Sequence, residues 1–538
     1  MWMAWTGRIR VGFVAVVAGC VAHAGGGQVL PGTEGGLGQQ IAALVSDPAV
    51  ARAHWGVMVA AMDGTPIFAL NEGQFFQPAS NAKLFTTAAA LALLGPEASF
   101  ETEVLGRGAF DGSGVLQGDV VLRGSGDANL SGRAVPYVEP SAEPRLRPGA
   151  VVAAPDGLRY LEAMADQVAA TGLKRVEGDM VGDDTLFPYA PYPVDWAIDD
   201  AAWGYGAPVS ALSVNDNQIR LTVGPGAKAG AKAVATLTPA VPYYTVQMTA
   251  VTGTKGSPSA VRIERELGSR VMRISGAIAV DAGADVEEIA IGDPAEYAAV
   301  ALKAMLEERG IVVTGTARAL HRPDVDLKGF LAESREPLPE GLGVRAEEVQ
   351  QVGRLLASHR SPGVGDDVGV TNKMSLNLHA ELLLRQLGRR VGDDGSSAQG
   401  ARVVRQFLLR AGLDPEDFVF YDGSGMSGHD LVTPRAVARL LEYAAGQPWF
   451  GVYKASLPVG GVDGSLEHRF AENPLNLLKG HVFAKTGTLG EARALGGYLE
   501  CASGRTVVFS IMVTDHAPGT SADRAAMDKI VAAVAAAE

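Results

Sequence analysis

The chain has 538 residues, which is too long for one compact core, so its length predicts two or three domains. Hydrophobic residues make up 47% of the sequence and charged residues 20%, a composition typical of globular proteins. The 46 Lys and Arg residues face 60 Asp and Glu residues, and the net charge of −14 disfavours nucleic acid and anionic lipid as partners. Only two cysteines occur, Cys20 and Cys501, so neither a disulfide framework nor a cysteine-based metal site is expected.

The N-terminus has the pattern of an export signal. A start with two arginines precedes an apolar run over residues 11–21, and residues 22–24 (Ala-His-Ala) form a small-x-small cleavage site, so residues 1–24 are predicted to be a signal peptide. A second interpretation stays open, because residues 17–20 (Val-Ala-Gly-Cys) resemble a bacterial lipobox, which would leave a lipid anchor on Cys20. Both interpretations predict a periplasmic or otherwise extracytoplasmic protein.

Both ends of the remaining chain show strand hairpins beside helices. Helices are expected over 39–44, 81–94 and 522–537, and strands over 55–62, 66–70, 482–486, 494–500 and 506–514. This arrangement predicts an α+β fold in which one antiparallel sheet, assembled from both ends of the chain, is covered by helices.

The middle of the chain differs in character. Short β runs and turns dominate it, with strands expected over 120–122, 175–181, 220–223, 261–265 and 271–280, and helices over 157–170 and 297–308. We interpret 106–334 as an inserted β-rich region of one or two domains, with 25–105 and 335–538 forming the surrounding domain. After residue 352 the pattern is expected to be helical again, notably over 377–387 and 400–411.

The first chemical motif is Ser80-Asn81-Ala82-Lys83, at the expected start of a helix. Lys83 follows Ser80 by three residues, so both side chains lie on one helical face and the amine can approach the hydroxyl. A serine hydroxyl needs an adjacent base to be a nucleophile, and a lysine serves if burial depresses its pKa. The alternative is that Ser80 only caps a helix and that Lys83 is solvated.

Two further motifs follow. Ser375-Leu376-Asn377 is expected to open another helix, where a simple helix cap is the alternative. Residues 485–488 (Lys-Thr-Gly-Thr) place a cation and two hydroxyls on a strand, with Gly487 where a side chain would obstruct a substrate along the sheet edge. In this order and these contexts, the three motifs supply the parts of an acyl-serine enzyme that recognises penicillin.

The chain resembles the class C low-molecular-mass penicillin-binding proteins, the D-alanyl-D-alanine carboxypeptidase/endopeptidase family. Longer strings that carry the resemblance lie at 122–127, 182–184, 205–213, 422–427, 431–434 and 464–466, within a matching stretch from about 55 to 515. The resemblance implies a penicillin-binding/β-lactamase-like transpeptidase domain with β-rich domains inserted between the first and second motifs. It also implies a serine-type hydrolase of the cell wall that acts on peptidoglycan stem peptides and is covalently inhibited by β-lactams.

The resemblance assigns catalytic roles to five residues. Ser80 is the acylated nucleophile and Lys83 its base, Ser375 relays a proton to the leaving amine, Asn377 positions Lys83 and the substrate amide, and Lys485 supports the relay.

It further implies that Thr486 and Thr488 bind the substrate carboxylate, and that the backbone N–H groups of Ser80 and Thr488 form an oxyanion hole. Trp196 and Asp199 resemble residues that line a pocket for the stem side chain. Gly428 departs from the family pattern, which often carries an arginine there, so selectivity for that side chain is not carried over.

No cofactor is expected, and the nine histidines contain no His-x-x-x-His pattern that would favour a metal site. Three alternatives stay open: a β-lactamase on the same scaffold, a non-catalytic cell-wall-binding protein, and an intracellular esterase, which the export signal disfavours. The sequence leaves the balance of carboxypeptidase and endopeptidase activity undecided.

Overall fold

The computed structural model describes residues 36–139, 156–325, 328–339, 341–345 and 352–538. The predicted signal peptide and Cys20 lie outside these residues, so cleavage and lipidation stay predictions. In the described part of the chain, no helix combines the length and the apolarity needed to cross a bilayer.

The elements predicted near the chain ends are present with similar bounds. The strands, in chain order, are β1 (His54–Ala61), β2 (Pro66–Leu70), β3 (Glu101–Phe110), β4 (Val115–Arg123), β5 (Arg175–Val176), β6 (Met180–Tyr189), β7 (Gln218–Gly224), β8 (Val234–Thr238), β9 (Thr245–Met248), β10 (Val251–Gly253), β11 (Ala260–Glu264), β12 (Val271–Ala279), β13 (Asp285–Ala290), β14 (Val312–Val313), β15 (Ala317–Pro323), β16 (Arg354–Arg360), β17 (Phe418–Val419), β18 (Leu431–Val432), β19 (Val482–Leu489), β20 (Ala492–Glu500) and β21 (Thr506–Thr514). The helices are α1 (Leu37–Val45), α2 (Ala82–Leu93), α3 (Arg159–Ala170), α4 (Pro294–Glu308), α5 (Phe330–Arg335), α6 (Val364–Met374), α7 (Asn377–Leu387), α8 (Ser397–Arg410), α9 (Pro434–Ala445), α10 (Phe450–Ser456) and α11 (Ala522–Ala537).

A five-stranded antiparallel sheet joins the two ends of the chain, in the order β19-β20-β21-β1-β2. Strand β1 pairs with β21 along its whole length, from His54 opposite Thr514 to Ala61 opposite Val507. The sheet therefore has the predicted origin, and β19, which carries the third motif, lies at its edge.

Helices cover both faces of this sheet, which explains why its inner strands β1 and β21 are largely apolar instead of alternating with polar residues. Val57 and Val59 of β1 pack in one core with α1 and α11, whereas Met58 and Ala60 face a second core built mainly from α2 and α6–α10. Successive side chains of a strand point to opposite faces, so one short run serves both cores.

The middle of the chain forms further sheets around a separate apolar core. The largest has seven strands, with the path β14-β5-β4-β3-β16 and with β6 and β15 attached through β4. A four-stranded sheet contains β9, β10, β11 and β12, and a three-stranded sheet contains β7, β8 and β13.

The prediction of helical structure directly after residue 352 was wrong, because β16 comes first and pairs with β3. The predicted strand over 175–181 is divided into β5 and β6. Strand β3 begins before the range 106–334 and β16 lies wholly after it, and the proposed domain ranges remain a prediction. β16 has weak period-2 patterning, and its place depends on a distant partner strand.

Candidate active site

Ser80 lies in a short 3₁₀ turn (Ala79–Asn81) that leads directly into α2. Ala79 has a left-handed backbone (φ 46°), a conformation that costs energy for a residue with a side chain. Two glycines allow close packing around this turn: a Cβ on Gly425 would lie 1.8 Å from the Ala79 carbonyl oxygen, and a Cβ on Gly487 would lie 2.6 Å from that of Pro78. Gly487 thus permits β19 to pack against the turn of the serine, a reason that differs from the predicted clearance for substrate.

Lys83 is fully buried one turn of α2 below Ser80. Its Nζ lies 2.8 Å from Oγ of Ser80, 2.7 Å from Oδ1 of Asn377 and 2.7 Å from the carbonyl oxygen of Ser424. Burial lowers the pKa of Lys83 to about 7, although the charge of Asp422 opposes the shift. A large share of this amine is therefore uncharged at neutral pH, as a general base next to a serine requires.

A loop over residues 422–427, which the sequence indicated only as a string shared with the resembling family, supplies the third acceptor of Lys83. Asp422 holds the loop through the N–H groups of Gly425, at 2.7 Å, and Ser427, at 2.8 Å. Glu381 of α7 accepts from the N–H of Ser424 at 2.8 Å. Burial raises the pKa of Glu381 to about 8, so Asp422 is the more effective counter-charge beside Lys83 at neutral pH.

Ser375 and Asn377 lie where two helices meet. Ser375 follows the last residue of α6 in a left-handed conformation (φ 60°), and Asn377 begins α7. The expectation that the whole string opens a helix was thus wrong for Ser375, which stands between the helices. Besides its bond to Lys83, Asn377 donates through Nδ2 to the carbonyl oxygen of Tyr205 at 2.9 Å.

Lys485 reaches Ser375 from the edge strand β19. Its Nζ donates to Oγ of Ser375 at 2.8 Å and to the carbonyl oxygen of Thr486 at 2.9 Å, and the side chain is fully buried. Burial lowers the pKa of Lys485, and the charge of nearby Lys83 lowers it further. Asn81 ties the same strand to the serine turn, because its Nδ2 donates to the Lys485 carbonyl oxygen at 2.9 Å.

The remaining residues of the third motif face a cavity of about 420 Å³. Thr486 and Thr488 lie on its wall, together with Ser465, whose Oγ lies 2.7 Å from Oγ1 of Thr486. Arg524 of α11 and His468 also line this cavity. The sequence indicated Ser465 only as part of the string at 464–466, and its contact with Thr486 was not foreseen.

Trp196 and Asp199 lie in the segment before the short turn Asp200–Ala202. The Nε1 of Trp196 donates to Oδ2 of Asp422 at 2.9 Å, so this ring contacts the loop that holds Lys83. Asp199 is exposed at the start of the turn. Their predicted contribution to a side-chain pocket stays a prediction.

The position of Gly428 has an acid and a base beside it. A Cβ at Gly428 would lie 2.9 Å from Oδ2 of Asp195, and Nδ1 of His429 lies 3.5 Å from the same oxygen. Among the described residues, no group of three or more His, Cys, Asp and Glu side chains could hold a metal ion.

A helix-covered antiparallel sheet, with a serine–lysine pair beside its edge strand, gives the chain the fold of the penicillin-binding proteins and confirms the predicted fold class. The sequence profile of the D-Ala-D-Ala carboxypeptidase 3 (S13) family matches residues 37–342 and 338–536. The chain belongs to this family, which confirms the resemblance and the predicted function of a D-alanyl-D-alanine carboxypeptidase.

Individual relatives agree with this membership. A D-alanyl-D-alanine carboxypeptidase from Actinomadura sp. (strain R39) is 32% identical over 492 residues, covering 89% of this chain and 81% of the relative. The D-alanyl-D-alanine carboxypeptidase DacB of Haemophilus influenzae is 24% identical over 450 residues, covering 84% and 82%.

Solved structures share the fold. The crystal structure of penicillin-binding protein 4 from Haemophilus influenzae superposes with a TM-score of 0.72 at 21% identity, covering 91% of this chain and 97% of the other. The same protein complexed with a β-lactam superposes with a TM-score of 0.67 at 22% identity.

Proposed function

We propose that the chain performs its carboxypeptidase reaction through an acyl-serine intermediate on Ser80, with Lys83 as the base. The observation that carries this proposal is the 2.8 Å separation of Lys83 Nζ and Ser80 Oγ. The lowered pKa of Lys83, about 7, supports it, because the amine can accept the serine proton as Oγ attacks the carbonyl next to a D-alanine.

The leaving amine needs a proton when the peptide C–N bond breaks, and Ser375 is proposed to deliver it. Lys485 favours this transfer, because its Nζ donates a hydrogen bond to Oγ of Ser375. The backbone N–H groups of Ser80 and Thr488 are proposed to stabilise the oxyanion, where one lost donor raises the barrier by about 3 kcal/mol. Water then hydrolyses the acyl group from Ser80.

Thr486, Gly487 and Thr488 are proposed to form the part of the cleft that holds the substrate's terminal carboxylate. The half-buried Thr486 and the exposed Thr488 offer hydroxyl donors on one strand edge. Hydrogen bonds to a charged acceptor are the stronger kind, so these two hydroxyls favour substrates with a free C-terminus.

A second activity, cleavage of D,D-cross-links as an endopeptidase, is favoured by the size of the cavity beyond Thr488. Its volume of about 420 Å³ exceeds what a departing D-alanine fills, so a larger leaving group has room. Such a group would extend toward Arg524 and His468.

The proposed partners are peptidoglycan stem peptides, with β-lactams as covalent inhibitors whose leaving group stays attached to the acyl-enzyme. We propose a periplasmic or extracytoplasmic location through the signal peptide at 1–24, with Cys20 either removed or lipidated. The acidic composition supports the absence of nucleic acid among the partners.

Purified wild-type protein and Ser80→Ala should be compared for labelling by a fluorescent penicillin and for products from cross-linked and uncrosslinked muropeptides. The wild type should be labelled and should release free D-alanine or cleaved dimers, and Ser80→Ala should do neither. Ser503→Ala, in an exposed hairpin turn, is the matched control. Turnover retained in Ser80→Ala contradicts the nucleophile assignment, rapid loss of the label indicates a β-lactamase, and a wild type that is never labelled indicates a non-catalytic protein.

A further inference from the structure

The geometry of Ser375 depends on how two helices are held against each other. Only Ser375 and Leu376 connect α6, which ends at Met374, to α7, which begins at Asn377. Ser375 has a left-handed backbone, a conformation that persists only where the surroundings impose it. Side chains that fix the ends of both helices therefore fix the direction of the Ser375 hydroxyl.

His379, in the first turn of α7, has a carboxylate on each side of its ring. Nδ1 lies 2.6 Å from Oδ1 of Asp367 in α6, and Nε2 lies 3.3 Å from Oδ1 of Asp216 in the inserted region. Burial acts to lower the pKa of His379, but the two carboxylates outweigh it and raise the pKa to about 9. The imidazolium thus bridges α6, α7 and the inserted region, in a site that is almost wholly buried.

Asp216 is presented to His379 by a strained turn. Asn215, Asp216 and Asn217 all have left-handed backbones, with φ of 49°, 54° and 53°. The N–H of Asn215 donates to the Leu130 carbonyl oxygen at 2.8 Å, and Nδ2 of Asn217 donates to the Pro208 carbonyl oxygen at 2.9 Å. Consecutive non-glycine residues in this conformation are costly, so the surrounding contacts hold the turn in place.

Arg133 links Asp216 to the last residue of α6. Its guanidinium pairs with Asp216, and its Nη1 contacts Sδ of Met374 at 3.2 Å. Arg133 therefore contacts Met374, the residue just before Ser375. Its partner Asp216 contacts His379, which belongs to α7, the helix that begins just after Ser375.

We propose that Arg133 and Asp216 are positioning residues, which hold α6 and α7 so that the Ser375 hydroxyl is directed at the leaving amine. This inference rests on the proposed role of Ser375 as the proton relay. It gives the inserted region a part in catalysis, since neither residue belongs to the elements that carry the three motifs.

A change of leaving group separates positioning from general stability. An amide nitrogen must be protonated as its C–N bond breaks, whereas the thiolate of a thiolester leaves without a proton. Both substrates use the same attack by Ser80 and the same acyl-enzyme. A poorly directed Ser375 should therefore slow the acylation of Ser80 by the amide selectively.

The test compares the acylation of Arg133→Met and Asp216→Asn by a D-alanyl-D-alanine peptide and by the thiolester analogue of the same acyl group. We expect the rate constant of acylation by the amide to fall by about 10- to 100-fold, the size of effect that misplacement of a catalytic group causes, with little change in the rate constant of acylation by the thiolester. Arg133→Lys, which keeps a cation beside Asp216, should recover part of the loss. Asp216→Asn keeps the side-chain shape, so it tests the inference even if Arg133→Met fails to fold.

Arg107→Met is the matched control, because Arg107 forms an ion pair with Asp183 between two strands of the seven-stranded sheet. It should leave both substrates unaffected. Equal losses for amide and thiolester in the Arg133 and Asp216 variants, or an effect on KM alone, overturn the inference. Ser375→Ala serves as the benchmark: if it too slows both substrates equally, the relay is wrong, and the inference fails with it. Loss of all acylation in Ser80→Ala tests the proposed nucleophile separately.

Discussion

The amine of Lys83 and the side-chain oxygen of Asn377 lie 2.7 Å apart, although 294 residues separate them along the chain. This contact joins the first motif to the second across the region that the sequence predicts to be inserted. Its partner contact, from Lys485 to Ser375, joins the second motif to the third. Each of the two serines thus has a hydrogen bond from a buried lysine, and burial makes the charge of each lysine sensitive to its neighbours.

The rate of acylation should follow the titration of Lys83. Because burial lowers the pKa of Lys83 to about 7, the second-order rate constant for a fluorescent penicillin should rise as the pH increases through that value and then level off. Lys83→Arg, which stays protonated, should react about 10²- to 10⁴-fold more slowly. Unfolding midpoints over the same pH range provide the control. A rising limb near the ordinary pKa of lysine would contradict this assignment.

The pH at which the acylation rate constant rises should depend on the charge of Asp422. Its negative charge raises the pKa of Lys83 against the effect of burial, so Asp422→Asn should move the rising limb to lower pH by about 1 unit. Glu381→Gln is the matched comparison and should shift the limb less, because burial raises the pKa of Glu381 to about 8 and keeps much of it protonated. A larger shift from the glutamate variant would show that Asp422 is not the dominant counter-charge.

How far the sequence predicted this site depends on where each contact originates. Ser80 and Lys83 are three residues apart, so helical spacing alone brought them together, and the edge strand followed from the strand pattern of residues 482–486. The contacts of Ser424 and Glu381 connect distant segments through a backbone group and a buried acid, and the contact of Ser465 with Thr486 joins two hydroxyls from separate segments. Patterns of residue type carry little information about such partners. Residues 375–377 resembled a helix cap in the sequence, but Ser375 has a left-handed backbone at the junction of α6 and α7.

The hydroxyl of Thr488 should matter only for substrates with a free C-terminal carboxylate. Thr488→Val removes the hydroxyl with little change in volume, and we expect kcat/KM to fall about 10- to 100-fold, the worth of a hydrogen bond to a charged group. The C-terminal amide of the same peptide is the control substrate and should lose much less. Ser465→Ala should cause a smaller loss of the same kind, because Ser465 acts through Thr486. Equal losses on both substrates would argue against carboxylate binding at Thr488.

The ion pair of Lys373 and Asp463 should contribute mainly to stability. Its Nζ and Oδ2 lie 2.5 Å apart, and both side chains are buried. Lys373→Met leaves Asp463 as an unpaired buried charge, so the free energy of unfolding should fall by about 3–5 kcal/mol. Adding Asp463→Asn removes that charge and should restore part of the loss. Urea unfolding followed by circular dichroism measures both, and a double variant as unstable as Lys373→Met would contradict the argument.

Asp199 should select for substrates whose stem side chain ends in an amine. The carboxylate is exposed, close to the Tyr205 hydroxyl that donates to Asp200 at 2.7 Å. Asp199→Ala should lower kcat/KM for an amine-ended side chain by about 2- to 5-fold, since exposed ion pairs contribute only ~0.2–1 kcal/mol. A substrate with that amine acetylated should be unaffected. Trp196→Phe keeps an aromatic side chain but removes the N–H that donates to Asp422, so it should slow both substrates alike. If Asp199→Ala treats the two side chains equally, Asp199 is a solvated acid, and the pocket must be sought nearer to Asp195 and His429.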